Sequence, residues 1–238
     1  MDPSYPVSDE EGLGVRGYFD QVTGSDQQHA IEIHFFKELL PWYLWIFPFS
    51  DGSANVGLAL PARLAKNNPL SLKELLFHLI EKYPHLKKRF INAKLTGKIE
   101  ASRLPYFTGH RRIAGDNYLL LGDAACLIDP FTGEGIGNAM ISGYVAAETA
   151  EACLTNKDFG YSGTQFYQHR IYEKLGAELA LGLKLQGLAR RQTLLNLVIG
   201  RASRNENSRK LISEMLYSNN ARSKLNKPVF YLKLLLGL

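Results

Sequence analysis

The sequence predicts an α+β chain in which an antiparallel sheet is followed by one strand–loop–helix unit and then a helical remainder. Three observations predict it. Strand-like runs crowd the first 60 residues and are joined by short turn signals, which favours antiparallel pairing. The short apolar run Tyr118–Leu121 stops at Gly122-Asp123, and a glycine-rich loop and a small-residue helical pattern follow. From about Thr164 onward the apolar residues recur at helical spacing. The expected division is a sheet-and-helix segment over 1–105, the strand–loop–helix over 106–155 and a helical region over 156–238.

Taken in order, Gly14 to Val22 has strand composition. Ala30 to Phe36 alternates, with Ile31, Ile33 and Phe35 on one face and Glu32, His34 and Phe36 on the other. Trp42 to Phe49 is strongly aromatic, and Ala54 to Leu60 is a further strand. Ser50-Asp51-Gly52-Ser53 between them is a hairpin signal. Ser71 can cap a helix while Glu74 reaches back to it. Leu72, Leu75, Leu76, Leu79 and Ile80 then recur at helical spacing until Pro84 ends or kinks the run. Residues 94–105 return to a basic, strand-like segment. Helices are expected over about Ile136–Leu154, Leu175–Leu188 and Leu194–Leu216.

Hydrophobic residues make up 45% and charged residues 21%, which excludes a disordered chain. Cys126 and Cys153 have no metal-ligand spacing and form no disulfide framework, and no histidine spacing argues for a metal. No signal-peptide pattern opens the chain, so a cytoplasmic location is expected. The longest apolar runs, Leu39–Phe49 and the Lys233-interrupted Val229–Leu238, fall short of the roughly 20 residues that span a bilayer. Charge is uneven. Residues 201–238 hold eight Lys and Arg against Glu206 and Glu214, a net +6, so the preceding residues sum to −1 within the total of +5. Such a tail suits peripheral contact with an anionic membrane surface or an anionic substrate; a solvated helix face with a docked apolar terminus is the plainer alternative. A nucleic-acid partner is not expected.

The densest chemical signal is Gly122-Asp-Ala-Ala-Cys-Leu-Ile-Asp129-Pro130-Phe-Thr-Gly133-Glu134-Gly135-Ile136-Gly137-Asn138-Ala139. A strand stops at a glycine and presents the Asp123 carboxylate, an acceptor suited to polyol hydroxyls. A loop that allows close backbone approach leads to a helix start, whose amides lack helical partners and carry the positive dipole end. Those amides suit an electron-rich ring edge or a developing anion. Gly137, Ala139, Ser142, Gly143, Ala146 and Ala147 read as a helix packed tightly on the loop. The alternative is that the glycines serve only a turn and a close helix contact.

This string resembles the second flavin-contacting motif of the p-hydroxybenzoate-hydroxylase-like flavoproteins, and its Gly-Glu-Gly-Ile-Gly variant resembles the geranylgeranyl reductase branch. The resemblance implies part of an FAD-binding domain beside an antiparallel substrate-binding sheet. It places Gly122 and Asp123 at the ribityl hydroxyls of FAD and Pro130 against the isoalloxazine plane. It sets the amides of Gly133, Gly135, Ile136 and Gly137 at the pyrimidine edge. Upstream, Pro41-Trp42-Tyr43-Leu44-Trp45-Ile46-Phe47-Pro48 with Gly57 is similar to the Y-x-W-x-F-P…G substrate-cavity signature of the same reductases. On a strand Tyr43, Trp45 and Phe47 share one face, a wall suited to a prenyl or other apolar small molecule, with Tyr43 and Trp45 keeping polar handles. A sheet buried on both faces is the alternative, since Leu44 and Ile46 are apolar too.

Members of that family ordinarily begin with a βαβ unit carrying G-x-G-x-x-G, and no such string stands in this chain. The dinucleotide-binding half is therefore expected from a partner chain, or the chain is truncated. The resemblance implies reduction of isolated carbon–carbon double bonds of a prenyl group, with NAD(P)H or another donor reducing FAD. It assigns no catalytic proton donor. A flavin monooxygenase of the same fold, or a non-catalytic remnant, are the alternatives. Cys126 is expected to be a small buried thiol, and Arg103, Arg111 and Arg112 are candidates for a diphosphate or for plain solvation.

Overall fold

In the computed structural model, which describes residues 11–24 and 31–210, the chain divides into two units, Met1–Leu104 and Pro105–Leu238. The first holds strands β1 (Gly12–Asp20), β2 (Glu32–His34), β3 (Leu44–Pro48), β4 (Ala54–Pro61) and β5 (Lys94–Leu104). With them come helices α1 (Ala62–Lys66), α2 (Leu72–Lys82) and α3 (Pro84–Arg89). All strand pairs are antiparallel, in the order β2-β3-β4-β1-β5. The β3–β4 turn is the expected hairpin: Phe49 N donates to Ser53 O at 2.8 Å, and Gly52 takes φ +84°. That left-handed conformation is why glycine stands there.

The two-residue period of the strands sorts the side chains. Val15 and Phe19 of β1, Leu44 and Ile46 of β3, and Val56, Leu58 and Leu60 of β4 are buried on one face. Against them α2 lays Leu75, Leu76, Leu79 and Ile80. Each such side chain contributes about 1.5–3 kcal/mol on burial. The capping box at Ser71 forms: Glu74 N donates to Ser71 Oγ at 3.3 Å and Ser71 N to Glu74 Oε2 at 2.8 Å. Pro84 both ends α2 and starts α3, where its missing N–H costs nothing.

Strand β2 is shorter than the Ala30–Phe36 alternation suggests. Ile31 and Phe35 are exposed, while Phe36 turns into the core and stacks on Tyr83 at 4.2 Å. The chain then enters a turn, so extended pairing stops at His34.

The second unit contains β6 (Ala114–Gly115), β7 (Tyr118–Leu119), α4 (Ile136–Asn156), α5 (Tyr161–Ala189) and α6 (Gln192–Arg204). Ile113, Leu127, Val145, Ile171, Leu175 and Leu179 form its core around Tyr167, whose hydroxyl donates to Leu120 O at 2.6 Å. Burial pushes that phenol up to about 12. Tyr118–Leu121 is not the buried strand the sequence suggests. Only two of its residues pair, with β6 alone beside them among the described residues, and Tyr118 and Leu121 are exposed. Helix α6 ends at Arg204, where Asn205 is extended, and residues 206–210 are helical again; the rest of the expected Leu194–Leu216 helix lies outside the described residues. The charges at Arg222, Lys224, Lys227 and Lys233 and the apolar terminus Val229–Leu238 lie outside the described residues. Among the described residues no helix is long and apolar enough to cross a membrane.

Candidate functional site

The site begins where β7 ends. Leu121 is extended, and residues Gly122–Ala125 form a single 3-10 turn closed by Cys126 at φ +55°. Gly122 sits at φ +50°, and a Cβ there would lie 3.0 Å from the Cβ of Ala139 on α4. The glycine thus lets the turn press against the helix. Ser142 fastens the contact, its hydroxyl accepting from Gly122 N at 3.0 Å and donating to Ala139 O at 2.9 Å.

From Cys126 the chain enters a loop that closes on itself. Asp129 N donates to Glu134 O at 2.8 Å, and Gly133 N donates back to Asp129 O at 2.9 Å. The buried Asp129 carboxylate accepts from Phe131 N at 2.9 Å, Thr132 N at 2.7 Å and Thr132 Oγ1 at 3.0 Å. Gln186 on α5 donates to Pro130 O at 2.9 Å. Asn138 donates to Leu127 O at 2.7 Å. These bonds fix the approach to α4 before any ligand arrives. The organising role of Asp129 was legible in part as an Asp followed two and three residues later by turn amides. Gln186, 56 positions away, carries no sequence signal at all.

Asp123 stands on the 3-10 turn with its carboxylate turned to the start of α4. A Cβ built on Gly135 would lie 3.5 Å from Asp123 Oδ1 and 3.1 Å from Ile128 Cγ1. Among the described residues the Asp123 carboxylate has no hydrogen-bond partner, nor do the amides of Gly135, Ile136 and Asn138. Although Asp123 is exposed by area, the surrounding loop and helix displace enough water to raise its pKa above the ordinary carboxylate range. An acceptor and several donors without protein partners among the described residues thus stand together at the start of α4.

Not every expected contact is available in this conformation. Gly133 spends its amide inside the loop, and Gly137 N donates to Glu134 Oε1 at 2.6 Å. Glu134, one residue before the N-cap Gly135, thus caps the helix from outside it. Pro130 is buried beneath the loop. The donors open to a ring edge are therefore Gly135, Ile136 and Asn138. Gly143 and Ala147 do not pack on the loop as expected: a Cβ at Gly143 would meet nothing within 4 Å, and Ala147 is exposed. Helical periodicity carries both away from it.

In the first unit the aromatic signature resolves into a second surface. Leu44 and Ile46 point to the core, so Tyr43, Trp45 and Phe47 occupy the opposite, half-buried face. Trp45 lies edge-on to Tyr43 at 6.4 Å and stacks on Phe47 at 6.1 Å. Trp45 pairs with Gly57 across the strands, and a Cβ on Gly57 would come within 2.3 Å of its Cζ2 and 2.4 Å of Val15 O. The glycine is the floor on which the indole lies. The indole N–H is not a handle for a ligand, because it donates to Asn55 Oδ1 at 2.8 Å. Pro48 closes the strand opposite Ala54. Beside Trp45 an open groove of about 640 Å³ runs over Gly14, bounded by Leu104, Ser102 and the Arg16–Glu100 ion pair at 2.6 Å.

The smaller candidates are engaged elsewhere. Arg103 forms a bidentate pair with Glu11 at 2.7 Å for both bonds. Arg112 lies over the Tyr161 ring at 4.6 Å. Arg111 donates to Cys126 Sγ at 2.9 Å and to Thr108 Oγ1 at 3.2 Å. Cys126 is consequently a half-buried thiol against a guanidinium rather than a buried apolar filler.

No family model matches the chain. A digeranylgeranylglycerophospholipid reductase of Thermoplasma acidophilum is 36% identical over 132 residues, 56% of this chain and 32% of that protein. A second such reductase, from Methanopyrus kandleri, is 31% identical over 154 residues, 63% of this chain and 38% of its own length. A menaquinone reductase of Mycobacterium tuberculosis is 29% identical over 147 residues, 59% and 35% of the two chains. The chain spans about a third of the length of these curated relatives. Among solved structures, a geranylgeranyl bacteriochlorophyll reductase-like protein of T. acidophilum superimposes with a TM-score of 0.72 at 22% identity, covering 92% of this chain and 52% of that one. The halogenase PltM, also solved in complex with FAD, gives a TM-score of 0.60 at 16% identity, covering 90% and 47%. The fold is thus one shared with flavoproteins, and over the third of its relatives' length that it spans the chain is similar in sequence to digeranylgeranylglycerophospholipid reductases.

Proposed function

We propose that this chain supplies the ring-gripping and substrate-facing parts of an FAD-dependent reductase acting on carbon–carbon double bonds of a prenyl substrate. One observation carries the reading: an unpartnered carboxylate, Asp123, faces the unpartnered amides of Gly135 and Ile136 across a gap that a Cβ on Gly135 would narrow. A carboxylate and helix-start amides without protein partners are open to a ligand that satisfies them both. Asp123 suits the hydroxyls of the ribityl chain. The helix-start amides suit the oxygen- and nitrogen-rich ring edge, where the dipole contributes about 0.3–1 kcal/mol towards negative charge. When bound, FAD supplies a two-electron hydride carrier.

The chain's own contribution is placement. The Asp129-centred loop holds the amides rigid, so little reorganisation is needed as charge develops. Tyr43, Trp45 and Phe47 offer an apolar face along which a prenyl chain can lie, and Gly57 keeps that face flat. The names of the relatives support a prenylated lipid or quinone as the substrate class. The test is to incubate the purified chain with FAD, NADPH or dithionite and a geranylgeranyl lipid, and to follow product mass. A gain of two hydrogens per saturated double bond is the expected result. Oxygen consumption with hydroxylated product would favour the monooxygenase alternative, and no turnover with bound flavin would favour a non-catalytic role.

A further inference from the structure

The groove beside Trp45 exists because side chains are missing from the middle of the first unit's sheet. Trp45 pairs with Gly57, Gly57 with Arg16 and Arg16 with Glu100. These four residues form one rung across β3, β4, β1 and β5, and directly paired residues share a face. On the next rung Gly14 stands between Ala59 and Ser102. Gly57 and Gly14 thus leave a bare floor between the indole on β3 and the side chains of β5. A Cβ on Gly14 would lie 3.1 Å from Leu104 Cδ1, so that leucine forms the far wall. Glycine inside a strand weakens it and marks a place where something approaches the backbone closely. On Gly57 that is the Trp45 ring; over Gly14 it is an open space of about 640 Å³.

That space is apolar at one end and charged at the other. Trp45 and Leu104 wall it, and among the described residues that line it only Arg16 and Glu100 are charged. The Arg16 guanidinium lies over the Tyr18 ring at 5.2 Å, which holds it at the rim. Its pair with Glu100 is a weak one, because the two side chains are 42% and 63% exposed and water screens the attraction. Strands lie about 4.8 Å apart, so Arg16 stands two strands, roughly 10 Å, from the indole. We infer that Arg16 reads the head group of the prenyl substrate: it binds the phosphate of a prenyl phosphate ester, takes it from water in place of the Glu100 carboxylate, and so selects an anionic head over a quinone. The inference rests on the proposed reading of Tyr43, Trp45 and Phe47 as the prenyl-binding face. A phosphate matches the guanidinium with two parallel charge-assisted hydrogen bonds. A quinone is neutral, accepts from the arginine through one carbonyl, and offers no donor to Glu100, an acceptor-only group.

The test is a binding titration of the 238-residue chain without flavin, followed by tryptophan fluorescence. Trp42 and Trp45 are the two tryptophans, and Trp42 is buried, so a ligand in the groove is reported by Trp45. The probes are geranyl phosphate, geraniol and inorganic phosphate. Geranyl phosphate should bind about tenfold or more tighter than geraniol, the difference expected of a hydrogen-bonded charge. Arg16→Gln should abolish that difference and leave the geraniol curve where it was, which also shows that the variant is folded. Glu100→Gln, which frees the guanidinium, should tighten geranyl phosphate and not geraniol. Inorganic phosphate should neither change the fluorescence nor compete. The inference is overturned if Arg16→Gln keeps the preference for the phosphate, if the parent binds both prenyl compounds equally, or if inorganic phosphate competes as well as geranyl phosphate, which would make this a free-anion site. Each of those outcomes leaves the prenyl-binding face standing. A chain that responds to neither prenyl compound would instead refute the prenyl reading itself.

Discussion

At the scale of single residues, Asp123 and Gly57 bear most of the functional reading, and each makes a distinct demand. Burial raises the Asp123 carboxyl, so the folded state holds its proton more tightly than the unfolded chain. Between the ordinary carboxylate value and the raised folded one, stability therefore falls as pH rises. Asp123→Asn is expected to melt higher than the parent at neutral pH, with the gap closing in acid below the ordinary carboxylate range; thermal melts over that range check it. The same variant should lose flavin affinity about tenfold or more, because a hydrogen bond to a charged group contributes about 1.5–3 kcal/mol. A residue that weakens the fold yet strengthens binding is functional rather than structural. Gly57→Ala is the opposite case. Its Cβ would meet the backbone oxygen of Val15 at 2.4 Å as well as the Trp45 ring, and the backbone cannot yield by a rotamer change. A loss of about 1–3 kcal/mol is expected in urea unfolding, together with altered Trp45 fluorescence.

Among the elements, those specified by neighbouring residues were the ones legible in the sequence. The Ser71–Glu74 capping box lies within four residues, and its loss in Ser71→Ala should cost about 1 kcal/mol, measurable as a lower urea midpoint without a changed slope. The hairpin at Asp51-Gly52 and the shared face of Tyr43, Trp45 and Phe47 were legible for the same reason: turn chemistry and a period of two are local. What the sequence left unresolved depends on distant partners. Nothing in Tyr118–Leu121 says how many strands lie beside it, so its apolar run reads as buried when Tyr118 and Leu121 are exposed. The glycines of the loop announced a close approach but not which amides remain open; Glu134 capping Gly137 and Asp129 accepting from Thr132 decide that. Gly143 and Ala147 looked like loop contacts because small residues signal close packing without naming the partner.

For the molecule as a whole, the two units have separate cores, one around Leu44, Val56 and Leu79 and the other around Leu127, Tyr167 and Ile171. A ligand that binds only the folded second unit stabilises that unit by mass action, about 2.7 kcal/mol at a hundred times its Kd. FAD is therefore expected to slow hydrogen exchange in residues 122–156 and α5 while leaving the strands of the first unit unchanged. Uniform protection across both units would place the flavin elsewhere.

The most direct measurement uses riboflavin, which carries the ring and ribityl chain but no nucleotide. Titrating it with the purified chain should quench its fluorescence to saturation, and Asp123→Ala should shift the midpoint about tenfold or more upward with an unchanged circular dichroism spectrum. A fluorescence that never saturates, or an identical curve for Asp123→Ala, would contradict a flavin ring held between this carboxylate and the start of α4.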